Sequence, residues 1–194
     1  VFLNSLSKIK YPVQFSIDSR RVELSGEAYF EVAHSPDRPF IVETADLEIE
    51  VLGTTFNLNA YENSGRIVTT LVEGQVKVKS NDNQSVNRVL LPSDQAVFNI
   101  GKCSFEVKKV DVGLFTAWKD GEFVFRNERL EDIMAVLTRW YSADVFYMNP
   151  SVKELRFSGN INRYGKIEPI LDIIQSTGKV KIDINKGTIL FKEI

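Results

Sequence analysis

The sequence has little of the residue types on which many enzymes and metal proteins depend. It contains one cysteine, Cys103, and one histidine, His34, among 194 residues. A lone cysteine excludes a disulfide within the chain and a cysteine-cluster metal site, and we expect it to be a buried or half-buried structural residue. A single histidine cannot supply the several imidazole ligands that a cupin-type metal site requires. We therefore predict neither a metal ion nor another cofactor.

Long apolar runs and blocks of like charge are also missing. No run of 18 apolar residues occurs, so no segment is predicted to span a membrane. The 24 basic and 26 acidic residues are interspersed and give a net charge of -2, which provides no electrostatic footprint for nucleic acid or anionic lipid. Because no signal peptide is present and the first residues already alternate like a strand, we expect a fragment of a larger protein.

The chain carries no recognisable catalytic motif. It has neither a glycine-rich phosphate-binding motif nor a nucleophile elbow, and His34 lies in a Ser-Pro turn that favours an exposed position. Two carboxylate pairs, Glu27 with Glu31 and Glu48 with Glu50, offer the groups that a glycosidase needs. Strand alternation predicts that both pairs face solvent. We therefore predict no catalytic residue and no enzymatic activity.

Residues 1–112 have the pattern of an all-β domain. Short runs rich in Val, Ile, Leu, Phe and Thr alternate with turn signals, and Arg20 to Val32 shows strict alternation of apolar and polar residues. Gly26 in the inward row of that strand indicates close approach of another part of the chain, and Gly53 marks a bulge or bend. The pattern predicts a sandwich or a solenoid-like stack and does not choose between them.

Residues 113–121 are predicted to be a linker, and residues 122–194 a smaller α+β domain. In this second domain a strand, an amphipathic helix and a strand occur twice in tandem, followed by one more strand. We expect one small sheet with both helices on one face, and Asn127 as the N-cap of the first helix. The strand Glu154–Ile161 lies between the two predicted helices.

The aromatic residues suggest an alternative function. Trp118 and Trp140 could stack on a sugar ring, so a carbohydrate-binding β module is one interpretation of the chain. Their spacing relative to the apolar stripes favours packing in a core.

Several phrases resemble the FecR-like anti-sigma factors. In the first half they are VFLNSLSKIKYP, RVELSGEAYFEVAHSPDRPFIVET, VLGTTFNLNAY, TTLVEGQVKV and LLPSDQA; in the second half they are AWKDGEFVFRNERLEDIM, LTRWYSADVFY and RFSGNI. GEAYFEV followed by VLGTTFN is the most specific of them. The residues that match the family motif in a structural role are Gly26, Glu27, Ala28, Phe30, Gly53, Thr54, Phe56 and Gly74.

The resemblance implies a periplasmic sensor in an inner-membrane protein. Members of this family have a cytoplasmic segment that binds an extracytoplasmic-function sigma factor, one transmembrane helix and a periplasmic region. The second half also resembles the signalling domain of TonB-dependent outer-membrane receptors. The implied function is relay of a receptor signal to the sigma factor by protein–protein binding. Docking could occur by strand addition or helix packing, and the expected partner-binding residues are Arg156, Ser158 and Asn160.

Overall fold

The computed structural model describes residues 1–81, 87–185 and 187–194. The chain divides into two compact units, Val1–Lys119 and Asp120–Ile194. The boundary between them falls inside the segment 113–121, which is helical rather than extended. Helix α1 spans Gly113–Thr116, and a 3-10 turn spans Ala117–Asp120.

The first unit is built from strands. Two short 3-10 turns, Glu62–Ser64 and Ile100–Lys102, interrupt them. The strands are β1 (Phe2–Leu3), β2 (Lys8–Lys10), β3 (Arg20–Glu31), β4 (Phe40–Glu43), β5 (Leu47–Val51), β6 (Thr55–Ala60), β7 (Arg66–Glu73), β8 (Val76–Ser80), β9 (Asn87–Leu90), β10 (Asp94–Asn99) and β11 (Ser104–Lys109). The predicted run through Gly53 is divided at that bend into β5 and β6.

Strand β3 joins the two halves of this unit. The order of hydrogen-bonded neighbours is β11-β10-β7-β6-β3-β4-β5-β8-β9, and β1 and β2 also pair with β3. Its second half pairs with β6, and its first half pairs with β4. The ring of Phe30 on β3 contacts Phe40 on β4 and Phe56 on β6, at centroid distances of 5.9 and 4.9 Å. Since both halves share one core and most pairs are antiparallel, the unit is a folded-over sandwich rather than a solenoid.

Gly26 lies where the segment around Ser7 approaches β3 closely. Its φ is +105°, a conformation that side chains rarely adopt, and a Cβ there would lie 2.4 Å from Oγ of Ser7. The close approach predicted from the sequence is therefore present. Ser7 Oγ also accepts a hydrogen bond from the backbone N–H of Glu27, at 2.8 Å.

The prediction that Glu27 faces solvent is wrong. Glu27 is only 8% exposed, because the chain around β1 and the helical segment before the unit boundary cover this part of β3. Its carboxylate accepts hydrogen bonds from Nδ2 of Asn4 and Nδ2 of Asn57, both at 2.8 Å. Asn57 Oδ1 in turn accepts from Nε1 of the buried Trp118, at 3.0 Å. These four residues form a continuous polar chain beneath the surface, which we call the Glu27 network.

The expected burial of Cys103 is also wrong. Cys103 is exposed and has a φ of +47° at the end of the second 3-10 turn. It turns the chain from β10 into β11 rather than packing in the core.

The second unit contains both helices and strands. The strands are β12 (Glu122–Arg129), β13 (Asp144–Tyr147), β14 (Arg156–Asn162), β15 (Lys181–Asn185) and β16 (Thr188–Lys192), and the helices are α2 (Leu130–Tyr141), α3 (Pro150–Lys153) and α4 (Glu168–Ser176). Helix α4 carries Pro169 in its first turn, and Gly178, with a φ of +70°, follows its end. Both residues have the positions that the sequence predicts.

The single small sheet expected for this unit is wrong. β12 pairs with β14 in a two-stranded sheet, while β13, β16 and β15 form a three-stranded sheet with β16 in the middle. The strands that flank each long helix therefore lie in different sheets, and the two strand-helix-strand segments are interleaved. Side chains from both sheets and from α2 and α4 form one core, which explains why the helical stripes were visible but the strand partners were not.

Candidate protein-interaction site

His34 and several of the family-motif residues lie at turns of the first unit. Within the described ranges no three His, Cys, Asp or Glu side chains come together as a possible metal site. His34 is exposed, and its Cα lies against Gly53, where a Cβ would approach to 2.5 Å. Gly74, with a φ of +90°, packs beside Thr54, whose hydroxyl donates to the carbonyl of Gln75 at 2.9 Å. The contacts of Gly53, Thr54 and Gly74 therefore stabilise turns.

The second carboxylate pair is part of an ion-pair ladder. Lys79 on β8 binds both Glu48, at 2.9 Å, and Glu50, at 2.6 Å, and Arg21 on β3 binds Glu48 at 3.1 Å. Burial raises the pKa of Glu48, but the hydrogen bonds from Lys79 and Arg21 outweigh it and leave that pKa below its ordinary value. The charged carboxylate of Glu48 therefore links strands β3, β5 and β8 through its ion pairs. Because it carries no proton, it is not available as a general acid.

The exposed aromatic side chains do not form a sugar-binding platform in the described part of the chain. The strongly exposed ones are Phe2 on β1, Phe146 on β13, and Tyr11 and Tyr164 in two different loops. Trp118 is buried and Trp140 is half-buried, as their spacing predicts. The flat array of rings that would favour the carbohydrate-binding alternative is not present among these residues.

The open edge of β14 is the clearest interaction surface. Among the described strands β14 pairs only with β12, and the N–H of Arg163 donates to the carbonyl of Gly121 at 2.9 Å. In an antiparallel ladder, residues that bond to the neighbouring strand alternate with residues that do not. The register therefore turns the backbone groups of Asn160 and Asn162 away from β12.

The same alternation continues beyond an irregularity in β12. On that side the N–H of Leu130 donates to the carbonyl of Leu155 at 2.7 Å, so the backbone groups of Arg156 also point to the open edge. The side chains of Arg156, Ser158 and Asn160 are exposed, and the residues between them are half-buried. All three predicted partner-binding residues consequently lie along one accessible strand edge, and which partner they contact stays a prediction.

Two of these side chains, those of Arg156 and Ser158, also hold a β-bulge in place. Arg126 and Asn127 on β12 together oppose the single residue Ser158, and Asn127 has a φ of +54°. Ser158 Oγ accepts the N–H of Asn127 at 2.8 Å, and Arg156 donates to the carbonyl of Asn127 at 2.6 Å. Asn160 reaches Glu122 at 3.1 Å. The bulge thus has both backbone groups satisfied.

Asn127 is not the N-cap of the first long helix, contrary to the sequence-based expectation. Strand β12 continues past it to Arg129, and α2 begins at Leu130. A bulge and a cap both favour Asn, because Asn tolerates unusual backbone conformations and hydrogen-bonds locally. The sequence signal was therefore genuine but was assigned to the wrong structure.

Arg163 anchors the end of β14 in the core, a role that the sequence did not indicate. It is 5% exposed, and its guanidinium lies 3.6 Å from the ring centroid of Trp140 and 5.8 Å from that of Phe123. Its carbonyl accepts hydrogen bonds from Nε1 of Trp140, at 2.7 Å, and from the hydroxyl of Tyr141, at 3.2 Å. The open edge is therefore held on a rigid support, which lowers the entropic cost of adding a strand to it.

Comparisons with known proteins agree with this structure. Residues 1–77 match the family model of the FecR protein, and residues 122–191 match the model of the FecR C-terminal region. No curated protein sequence matches the chain. Together the two models cover most of the described residues in the order in which the two units occur.

Two crystal structures of a proposed anti-sigma factor from Parabacteroides distasonis are similar over nearly the whole chain. One shares 26% sequence identity with a TM-score of 0.88 and covers 99% of this chain and 89% of its own. The other shares 27% identity with a TM-score of 0.86, covering 99% and 88%.

The two family matches and the two similar crystal structures place the chain in the anti-sigma class of regulatory proteins. The chain belongs to the FecR-like anti-sigma factor family. Members of this family are typically anchored in a membrane and carry a periplasmic region. No helix in the described ranges is both long enough and apolar enough to cross a bilayer.

Proposed function

We propose that this chain is the periplasmic sensor of a transmembrane anti-sigma factor, which relays a signal from a TonB-dependent outer-membrane receptor to an extracytoplasmic-function sigma factor. In this proposal the signalling domain of the receptor binds the second unit, Asp120–Ile194. The first unit serves as a scaffold for the second unit. The sigma factor is bound by a cytoplasmic segment outside residues 1–194. Family membership supports the regulatory class.

The observation that carries the docking mode is the open edge of β14. Outward-facing backbone groups at Arg156 and Asn160, combined with exposed side chains, form the surface that strand addition requires. Main-chain hydrogen bonds would supply affinity, and the side chains would supply selectivity. Substrate loading at the receptor would release its signalling domain for docking, and the docked state would favour proteolysis of the anti-sigma factor or release of its sigma factor.

A proline substitution tests strand addition directly. The N–H of Asn160 faces the open edge, so Asn160→Pro removes a donor that the β12–β14 ladder does not use. Asn160→Ala is the matched control, because it also loses the contact with Glu122 but keeps the backbone donor. We expect the proline variant to bind a purified receptor signalling domain about tenfold or more weakly than the alanine variant, because the two differ in the backbone donor and both lack the asparagine side chain.

The binding assay uses a panel of purified periplasmic signalling domains from the receptors of the source organism, measured by calorimetry or surface plasmon resonance. One member of the panel should bind the parent chain, and deletion of residues 120–194 should abolish that binding. Equal binding by the remaining first unit, or equal affinity of the proline and alanine variants, would refute the proposed surface.

A further inference from the structure

Strand β11 presents a second open edge, on the first unit. Among the described strands β11 pairs only with β10, and five of its six residues, all except Phe105, are exposed. Val107 is an apolar residue in the middle of this strand with 41% exposure. Exposed edge strands are prone to pair with other chains, and proteins usually protect them.

The hydrogen bonds beside β11 identify which backbone groups are available. The N–H of Val110 donates to the carbonyl of Ser93 at 2.9 Å, in register with the β10–β11 ladder. By the antiparallel alternation, Glu106 and Lys108 bond towards β10. The N–H and carbonyl groups of Phe105, Val107 and Lys109 therefore point to the open edge.

The two residues that flank Val107 on β11 carry charges of opposite sign. Glu106 precedes it and Lys108 follows it, and neither forms an ion pair with a residue that the structure describes. Lys109 differs, since it binds Asp94 at 2.9 Å. An antiparallel strand of the same sequence, centred on Val107, would place Glu106 of each copy directly opposite Lys108 of the other.

Charge selects this register over its neighbours. A two-fold pair centred on Glu106 would oppose two glutamates, and one centred on Lys108 would oppose two lysines. Like charges directly opposite each other on paired strands are destabilising, whereas opposite charges stabilise the pair. All three registers use the outward-facing backbone groups, but only the one centred on Val107 gives two attractive charge pairs and places the two Val107 residues directly opposite each other.

We infer that β11 pairs with β11 of a second copy of this chain, in the antiparallel register centred on Val107. The contact is isologous, so it closes as a dimer and does not propagate through this edge. The self-complementary order of Glu106, Val107 and Lys108 favours a second copy over an unrelated partner. An interface of one short strand per copy is small, so the dimer is expected to be weak.

Charge reversal tests both the contact and its register. Glu106→Lys alone opposes lysines, and Lys108→Glu alone opposes glutamates, so each variant should dimerise about tenfold or more weakly than the parent chain. An equimolar mixture of the two variants opposes lysine to glutamate at both positions. The mixture should therefore recover the association that each variant has lost.

Sedimentation velocity from about 0.01 to about 1 mM protein measures the association of each sample. Lys102→Glu, at an exposed position outside the strand, is the control for a change of net charge and should dimerise like the parent chain. The double variant E106K/K108E should also dimerise, which keeps the test decisive if a single variant folds poorly. A monomeric parent chain across this range, or a mixture that stays as weakly associated as its components, would overturn the inference.

Discussion

Glu27→Gln is expected to destabilise the first unit, because a glutamine cannot satisfy the Glu27 network. The buried carboxylate accepts one hydrogen bond from Asn4 and one from Asn57, so both of its oxygens act as acceptors. A glutamine amide offers one oxygen and one NH₂ group. One of the two asparagine donors would therefore face another donor.

Neither Asn4 nor Asn57 can rotate its side-chain amide by 180° without breaking another hydrogen bond. Rotating the amide of Asn57 would direct its NH₂ group at Nε1 of Trp118, which now donates to its oxygen at 3.0 Å. Rotating Asn4 would break the hydrogen bond from the N–H of Ser5 to its Oδ1, at 2.8 Å. The mismatch introduced at Glu27 therefore stays in the network in every arrangement.

The magnitude follows from the kind of bond that is lost. Leaving one buried donor unmatched costs about 1–3 kcal/mol, and a hydrogen bond to a charged group contributes about 1.5–3 kcal/mol. A neutral amide is easier to bury than a carboxylate, which offsets part of that loss. We expect the free energy of unfolding of the first unit to fall by about 2 kcal/mol.

Urea unfolding monitored by tryptophan fluorescence measures this change. The chain has two tryptophans, so a Trp140→Phe background leaves Trp118 as the reporter of the first unit. A loss of about 2 kcal/mol lowers the urea midpoint by about 1 M. Glu31→Gln is the matched control, because it makes the same substitution at an exposed position of the same strand and should change stability by less than about 0.5 kcal/mol. A Glu27→Gln variant as stable as this control would refute the reasoning.

Two further changes test other contacts of the first unit. Gly26→Ala combines a φ of +105° with a clash against Ser7, so it should lower the free energy of unfolding, measured in urea, by about 2–4 kcal/mol. Gly65→Ala is the control, because Gly65 has a φ of +66° with open space around it, and it should cost about 1 kcal/mol. Equal losses for the two variants would contradict the close approach of Ser7 to Gly26. Glu48 has a lowered pKa in the folded protein, so its ion pairs contribute stability above the unfolded value of about 4.3, and that contribution disappears as pH falls through the folded pKa. Glu48→Gln should therefore be less stable than the parent at neutral pH and equally stable near about pH 2, as pH-dependent unfolding would measure; a stability difference independent of pH would contradict the assignment.

The sequence predicted local structure better than it predicted what covers each surface. Strand alternation correctly buried Phe30, and Pro169 and Gly178 correctly marked the ends of α4. Alternation divides a strand into two faces, but it does not reveal whether a distant segment covers the second face. Glu27 was therefore placed in solvent, although Asn4 and Trp118, far from it along the chain, enclose it.

The second unit shows the same limit for strand pairing. Helical periodicity located α2 and α4, since it depends on residues three and four positions apart. The pairing of β12 with β14 depends on residues more than twenty-five positions apart, and no local pattern encodes it. At the candidate site, exposure of Arg156, Ser158 and Asn160 followed from alternation, but the open edge required the sheet order. The anchoring by Arg163 depends on tertiary contacts and gave no sequence signal.

The middle position of β16 in its sheet affects how the second unit reaches its folded state. β16 is the last of the described strands along the chain, yet within the part that the structure describes β13 and β15 are joined only through it. During synthesis the earlier strands emerge first, and their hydrogen-bonding groups stay unpaired until residues 188–192 arrive. A protease that removes even a few residues from that stretch would separate β13 from β15, so the integrity of the second unit depends on the last of its strands to be synthesised.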